Sequence, residues 1–465
     1  MKMYENGSMI MGLHIIIVGA GRVGRSLALQ LRKENHDITL VDRNATVLSE
    51  MENLSDILCV NGNGASYNTL SEANLEKADL LIAVTGSDEL NLLCCTMAKR
   101  SANCAAIARV RDPDYSVEAE YIREQLGLAM IVNPEQETAQ EIATILTLPA
   151  AQDVNPFAHG MAEIVRLKIE AGNALVGKKL QDLKKRFSGE VLICGVERNG
   201  NVTIPSGDFV VEIGDIVAFV GTRRNISRFF RSIGIPTGQV RTALIIGADR
   251  GGYYLAKQLM EQGVEVKLVE RSRERCEELA GLLHDAIIIN GNGLSTDLLR
   301  EEGLEYSEGI VPLTGVDEQN IFLTLYARQK NPRAKTITRI SRMEFRDMLP
   351  SLNLGSVVDP KAITTDRIIG YVRAKNNSVR ADEIETLYNL YDGRVEAVEF
   401  IAGDDSPVVG KRLMDLNLKN NLLVTCIQRG GKILIPGGQD KILPGDSALI
   451  VTSHLGLSQL SEILA

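Results

Sequence analysis

The chain has 465 residues, 45% of them apolar and 24% charged, with a formal net charge of −9 and a pI of about 5.4. Length alone suggests about three domains of ~150 residues. The acidic balance argues against nucleic acid or anionic lipid as the main partner, because both demand clustered Lys and Arg.

The first nine residues, MKMYENGSM, lack the apolar core of a signal peptide and are set aside as a tail. No apolar run approaches the ~20 residues of a membrane span. The seven cysteines include no C-x-x-C pair, and an odd number fits no full disulfide set. They read as small core residues of a protein kept in a reducing cytosol.

LHIIIVGA (13–20) is a continuous β-branched run, the pattern of a parallel strand buried on both faces. Gly19, Gly21 and Gly24 follow at G-x-G-x-x-G spacing, and RSLALQLRKEN then has apolar residues at helical intervals. The next strand, DITLVD, ends in Asp42, 18 residues beyond Gly24. The glycine pattern alone is weak in a chain with 41 glycines. Strand, helix and distant acid supply the context that makes it a dinucleotide fingerprint. In such a loop Gly19 permits the tight turn, Gly21 lets a pyrophosphate approach backbone N–H groups, and Gly24 lets helix and strand pack closely. The phosphates then lie at the positive end of the helix dipole. The Asp42 carboxylate can accept from both ribose hydroxyls and would repel the extra phosphate of NADP, so NAD or an adenine nucleotide is favoured.

The later loops point to the same sheet edge, since every loop after a parallel strand lies on the carboxyl side. GNG (62–64) follows ILCVN, and TGSDELN (85–91) follows LLIAV. Thr85 and Gly86 bring little bulk to a nucleotide. Arg109, ending AAIARV, either meets a phosphate through its planar fork or forms a structural salt bridge. DELN reads as the capped start of the next helix. Downstream, ALVGKKLQDL (174–183) and ERNGNVTIPSGDFVVEIGDIVAFVGT (197–222) are short β-rich runs broken by Asn-Gly and Gly-Asp turns.

The chain then repeats itself about 228 residues on. ALIIGADRGGYYLAKQL (243–259) matches the first strand, loop and helix. NGNG recurs at 290–293, SEGIVPLTGVDEQN (307–320) matches ADLLIAVTGSDELN (78–91), and ITRISRMEF (337–345) matches IARVRDPDY. PVVGKRLMDL (407–416) and QRGGKILIPGGQDKILPGDSALIVTS (428–453) match the small module. The expected fold is therefore a tandem duplication of an α/β, Rossmann-like, doubly wound parallel-sheet domain, each copy followed by a small α+β domain. The expected boundaries are 12–150, 155–236, 241–374 and 380–465. In the second copy Gly247 and Gly252 remain and Glu270 stands where Asp42 stood, but Asp249 replaces the middle glycine. A carboxylate there brings bulk and repulsion to a pyrophosphate. Either this pocket takes a different ligand or the second copy serves only as fold.

An NAD-dependent oxidoreductase is the alternative reading. It needs a substrate domain presenting an acid or base to the nicotinamide. The small modules are too short to frame such a cleft, and none of the five histidines has a partner at metal-ligand spacing. No G-x-x-x-x-G-K-[ST] loop occurs. The expectation is no catalytic residue, no metal site and no enzymatic activity.

The duplicated GAGRVG, VD, GNG, VTG and ARV segments, followed by VGKKLQDL and EIGDIVAFVGT, resemble the RCK (KTN) family over nearly the whole chain from Leu13. The resemblance implies a cytosolic regulatory protein, held at the inner face of the cell membrane through a partner, with NAD or NADH and ATP or ADP as regulatory ligands. The implied partner is a membrane potassium-translocating subunit of the Trk type, with a homo-oligomeric dimer or tetramer ring of these domains beneath it. By motif match, Gly19, Ala20, Gly21, Arg22, Val23 and Gly24 hold phosphates, Asp42 takes the ribose, and Thr85, Gly86 and Arg109 complete the first site. Gly247, Ala248, Asp249, Arg250, Gly251, Glu270, Thr314 and Gly315 fall at the matching places in the second copy, where Asp249 departs from the family pattern.

Overall fold

The computed structural model describes residues 12–465 except 103, 149, 183–189, 342–347, 350, 351, 353 and 377–382. The N-terminal tail and the expected start of the fourth domain at residue 380 lie outside the described residues.

The apolar run after Leu13 forms β1 (His14–Val18), with Ile15, Ile16 and Ile17 fully buried. Five more parallel strands join it: β2 (Asp37–Asp42), β3 (Leu58–Asn61), β4 (Leu80–Ala83), β5 (Ala105–Arg109) and β6 (Met130–Val132). Their order is β3-β2-β1-β4-β5-β6. β1 pairs with β2 in the register His14↔Asp37 and with β4 in the register Ile15↔Leu80. The chain leaves β1 on one side and returns on the other, so a crevice opens beyond the carboxyl ends of β1 and β4. The motif loops lie at that edge.

An antiparallel sheet follows, made of β7 (Asp153–Phe157), β8 (Ala162–Lys168), β9 (Val191–Arg198), β10 (Asn201–Thr203) and β11 (Ile216–Gly221), in the order β10-β9-β11-β8-β7. The helix Arg223–Ser232 covers it, burying Ile226, Phe229 and Phe230. The second copy repeats both layouts. Strands β12 (Thr242–Ile246), β13 (Glu265–Glu270), β14 (Ile287–Asn290), β15 (Gly309–Pro312), β16 (Lys335–Arg339) and β17 (Ser356–Val358) order as β14-β13-β12-β15-β16-β17. Strands β18 (Glu383–Leu390), β19 (Val395–Ile401), β20 (Leu422–Arg429), β21 (Lys432–Leu434) and β22 (Ser447–Thr452) order as β18-β19-β22-β20-β21. Each sheet of the second copy thus has the strand order of its counterpart in the first. The duplicated α/β-then-small-sheet fold expected from the sequence is what forms.

The chain divides into two compact units. One runs to Glu137 and includes Lys361–Thr365; the other comprises Thr138–Pro360 and Asp366–Ala465. Within the second unit the two antiparallel sheets share one apolar core. Phe157, Ile164, Cys194 and Val220 pack there with Tyr391, Val395, Ala397, Cys426 and Val451. Tyr391 is central. Its hydroxyl donates to the Ile216 carbonyl at 3.3 Å, and the Arg166 guanidinium sits 5.3 Å from its ring centroid. Gly195 has no side chain for a reason of space, since a Cβ there would lie 3.0 Å from the Tyr391 ring. The Phe157 and Tyr388 rings meet edge to face at 5.0 Å, and Arg394 pairs with Glu197 at 2.7 Å. Six of the seven cysteines are buried and all are free, which fits their reading as core residues. Burial pushes the Cys94, Cys194 and Cys426 thiols up to about 12.

Candidate functional site

The turn after β1 is built by small residues. Gly19 has φ +109, a conformation that L side chains rarely adopt, and a Cβ there would lie 3.0 Å from the Thr85 amide. A Cβ on Gly24 would lie 1.8 Å from the Gly19 carbonyl oxygen, so the helix Arg22–Lys33 approaches β1 this closely only without a side chain. At Gly21 a Cβ would meet nothing within 4 Å. That position faces open space, and its lack of bulk serves something other than packing.

Gly21 is also the N-cap of the helix, and no side chain caps it. The first intrahelical bond runs from Arg25 N to the Gly21 carbonyl at 3.0 Å. The N–H groups of Arg22, Val23 and Gly24 precede it and so have no intrahelical acceptor. One turn back, the Asp42 carboxylate accepts from Ala20 N at 2.6 Å and from Asn44 N at 2.8 Å. Each carboxylate oxygen spends one lone pair on the loop and keeps another for a hydroxyl donor.

The loop after β4 closes the other wall. Arg109, at the end of β5, donates through Nη2 to the Thr85 carbonyl. Its Nε is buried without a hydrogen-bond partner. Among the described residues no carboxylate ion pair of Arg109 is formed, although the Glu135 and Asp88 charges act on it. Burial first, and the neighbouring Arg111 charge second, hold Arg109 below the usual arginine range. Arg111 in turn donates to the Gly86 carbonyl and contacts Asp88 at 3.4 Å.

Two residues matter here that the sequence reading passed over. DELN does begin a helix, Asp88–Ala102, but Asn91 does more than extend it. Fully buried, it accepts from Thr85 N at 2.8 Å and Thr85 Oγ1 at 2.7 Å, and donates to the Arg109 carbonyl at 2.8 Å. It ties the loop after β4 to the end of β5. Asp88 accepts from the Arg111 and Asp112 amides, both at 2.8 Å. Both residues recur in the repeat as Asp317 and Asn320, and that recurrence was the available signal. Gly64 of GNG serves packing: a Cβ there would lie 2.2 Å from Val18 Cγ1.

The second crevice copies this frame. Glu270 accepts from Ala248 N at 3.2 Å and Ser272 N at 2.8 Å. Asn320 accepts from Thr314 N at 2.9 Å and donates to the Arg339 carbonyl at 3.0 Å, and Arg339 Nη2 donates to the Thr314 carbonyl at 2.7 Å. Gly247 has φ +110, as Gly19 does, and a Cβ on Gly315 would meet nothing. The departure is Asp249. Its Oδ1 accepts from Gly251 N at 3.0 Å and Gly252 N at 3.2 Å, and its Oδ2 meets Arg339 Nη1 at 2.8 Å. Arg250 begins the helix Arg250–Glu261 that Asp249 caps.

An anionic nucleotide fits the first arrangement on three structural grounds. A helix start lacks a side-chain cap, a glycine there faces open space, and a buried guanidinium retains an unsatisfied N–H. No group of three or more His, Cys, Asp or Glu capable of holding a metal ion occurs among the described residues. No described helix is long and apolar enough to cross a membrane.

Residues 15–134 and 243–360 match the TrkA-N domain, and residues 164–234 and 397–465 match the TrkA-C domain. The chain belongs to the TrkA family. It is 31% identical over 455 residues to the Trk system potassium uptake protein TrkA homolog 1 of Methanosarcina mazei, covering 96% of this chain and 99% of that protein. To the Trk system potassium uptake protein TrkA of Halomonas elongata it is 32% identical over 444 residues, covering 94% and 95%. The solved GsuK channel bound to NAD is similar in fold, with a TM-score of 0.64 at 20% identity over 95% of this chain and 77% of that one. In this TrkA-family chain each crevice lies within a TrkA-N match, and each antiparallel sheet lies largely within a TrkA-C match.

Proposed function

We propose that the chain is the nucleotide-sensing regulatory subunit of a Trk-type potassium uptake system. In this reading it binds NAD or NADH, or ATP or ADP, in the first crevice and controls a membrane potassium-translocating subunit. It works as a homo-oligomeric ring at the cytoplasmic face and catalyses no reaction. The potassium-uptake names of its relatives and the NAD of a fold neighbour support the assignment. One observation carries it: the helix start at Gly21 lacks a side-chain cap, while Arg109 at the same sheet edge has a buried Nε without a hydrogen-bond partner among the described residues.

Each residue has a task in that reading. The N–H groups of Arg22, Val23 and Gly24 hold the phosphates, with Gly19 shaping the turn and Gly21 leaving room. Asp42 holds the ribose and Ala20 fixes the carboxylate that does so. Arg109 neutralises phosphate charge, and Thr85 and Gly86 line the opposite wall. The nucleotide changes ion flux only if it binds one arrangement of the domains more tightly than another. A coupling of about 1–3 kcal/mol suffices for useful modulation.

The test is calorimetric titration of the purified chain with NADH and with ADP, chromatography of the nucleotide afterwards, and potassium flux through the reconstituted membrane subunit. Saturable binding, intact nucleotide and nucleotide-dependent flux are expected. No binding by folded protein, or steady oxidation of NADH with a small carbonyl compound, overturns the assignment.

A further inference from the structure

The two crevices share strand order, a positive-φ first glycine, a ribose-side acid and an asparagine-tied arginine. They differ where a diphosphate would lie. In the first, no side chain caps the helix start, and Arg109 Nε has no hydrogen-bond partner among the described residues. In the second, one carboxylate reaches both the helix start and the arginine: Asp249 accepts from two helix N–H groups and from Arg339 Nη1. A carboxylate and a phosphate oxygen ask for the same donors, so Asp249 supplies from within the chain what a ligand would supply from outside. A nucleotide entering here would have to displace that side chain and remain beside its charge. The surrounding charges deepen the contrast. The first crevice has a second arginine, Arg111, two residues beyond Arg109; the second has Ser341 at that place. Arg275, which donates to the Ala248 carbonyl, is itself paired with Glu278 at 2.6 Å.

We propose that Asp249 is a built-in surrogate for a ligand phosphate, closing the second crevice to diphosphates, so that each chain binds one nucleotide at the first crevice only. Asp249 is then the specificity-determining residue of the second TrkA-N domain. The inference rests on the reading of the first crevice as a nucleotide site, and its test separates the two.

The experiment is calorimetric titration of the full chain with ADP. Wild type binds one ADP per chain. Asp249→Gly frees the helix N–H groups and Arg339, and it binds two. Glycine is itself an accepted N-cap residue, so the helix start is retained. The reverse exchange, Gly21→Asp, carries the surrogate into the first crevice and weakens ADP binding by about a hundredfold, the worth of lost charge-assisted bonds plus repulsion. Asp249→Asn keeps a capping oxygen without the charge, and it shows a second, weaker site; it decides the matter if Asp249→Gly does not fold. Two ADP per wild-type chain overturns the inference. So does a single ADP in the folded position-249 variants while wild type also binds one, and that result leaves the first-site reading standing. Binding of ADP by Asp249→Gly but not by wild type upholds the closure of the second crevice by Asp249, and it overturns the single first-crevice site together with the first-site reading.

Discussion

Asn91 provides the sharpest probe of the first crevice because it touches only the frame of the proposed nucleotide site. The change Asn91→Ala removes an acceptor from Thr85 N at 2.8 Å and a donor to the Arg109 carbonyl at 2.8 Å. The side chain is fully buried, so water does not readily replace it. Two backbone groups are left unpaired, each costing about 1–2 kcal/mol, for a total destabilisation of about 2–4 kcal/mol. The Thr85 hydroxyl adds little, because it already has a second contact to the Ser87 carbonyl at 3.3 Å. The loop it releases carries the Thr85 carbonyl that anchors Arg109 Nη2. Loss of that anchor lets the guanidinium swing, and ADP affinity falls about tenfold, equivalent to about 1.4 kcal/mol.

The repeat contains its own control. Asn320→Ala breaks the equivalent bonds, at 2.9 and 3.0 Å, and the residue is as deeply buried. It therefore costs similar stability, yet it leaves ADP affinity unchanged. Urea denaturation measures the first quantity and calorimetry the second. A loss below 1 kcal/mol in both variants refutes the account of the ties. Equal weakening of ADP binding by the two variants refutes the assignment of nucleotide to the first crevice.

Gly21→Ala and Gly24→Ala separate binding from packing. The first adds a methyl group that meets nothing, so melting is unchanged while ADP binding weakens; the second drives a Cβ to 1.8 Å from the Gly19 oxygen, so thermal stability and binding fall together. Lys335 offers a pH test: burial, then the Arg328 charge, pull it from 10.5 down to about 7. Its folded value lies below its unfolded one, so the unfolded chain holds more protons between those limits and stability rises with pH across that window, by several kcal/mol. Lys335→Met abolishes that rise, as urea melts at pH 7 and pH 10 show. Tyr391→Ala opens the core shared by the antiparallel sheets and costs about 3–5 kcal/mol, seen as a lowered denaturation midpoint with ADP affinity intact.

Much of this was legible in the residues because it depends on local chemistry. The Ile-Ile-Ile-Val run of β1 reads as a strand covered on both faces, and the Gly19 turn needs its positive φ whatever surrounds it. The repeated order of strand, loop and acid then fixes where the crevice opens. Three features escaped for the opposite reason. Asn91 reads as one more polar residue in a helix, since its partners Thr85 and Arg109 lie on a separate loop and a separate strand. The core around Tyr391 joins strands some 200 residues apart, and no periodicity reveals which face of one sheet meets another. For Arg109 the sequence offered phosphate ligand or salt bridge, and it could not show that the Nε is buried without a hydrogen-bond partner, because burial depends on residues far along the chain. Asp249 lies between these cases. Its identity raised the question, but two outcomes stayed open until the carboxylate was found on its own helix and on Arg339.

Duplication explains why that substitution is tolerable. Both copies need a helix start whose N–H groups are satisfied, and either a ligand or a side chain meets the need. Where a ligand does so, helix termination and stability become linked to nucleotide concentration. Where a side chain does so, the domain is complete without a ligand and its geometry is constant. A chain holding one domain of each kind has a part that responds and a part that does not. The responsive crevice belongs to the unit that runs to Glu137, whereas the self-capped crevice shares its unit with both antiparallel sheets. The open helix start at Gly21 and the self-capped start at Asp249 are thus two solutions to one requirement, and the proposed regulatory role would use the first.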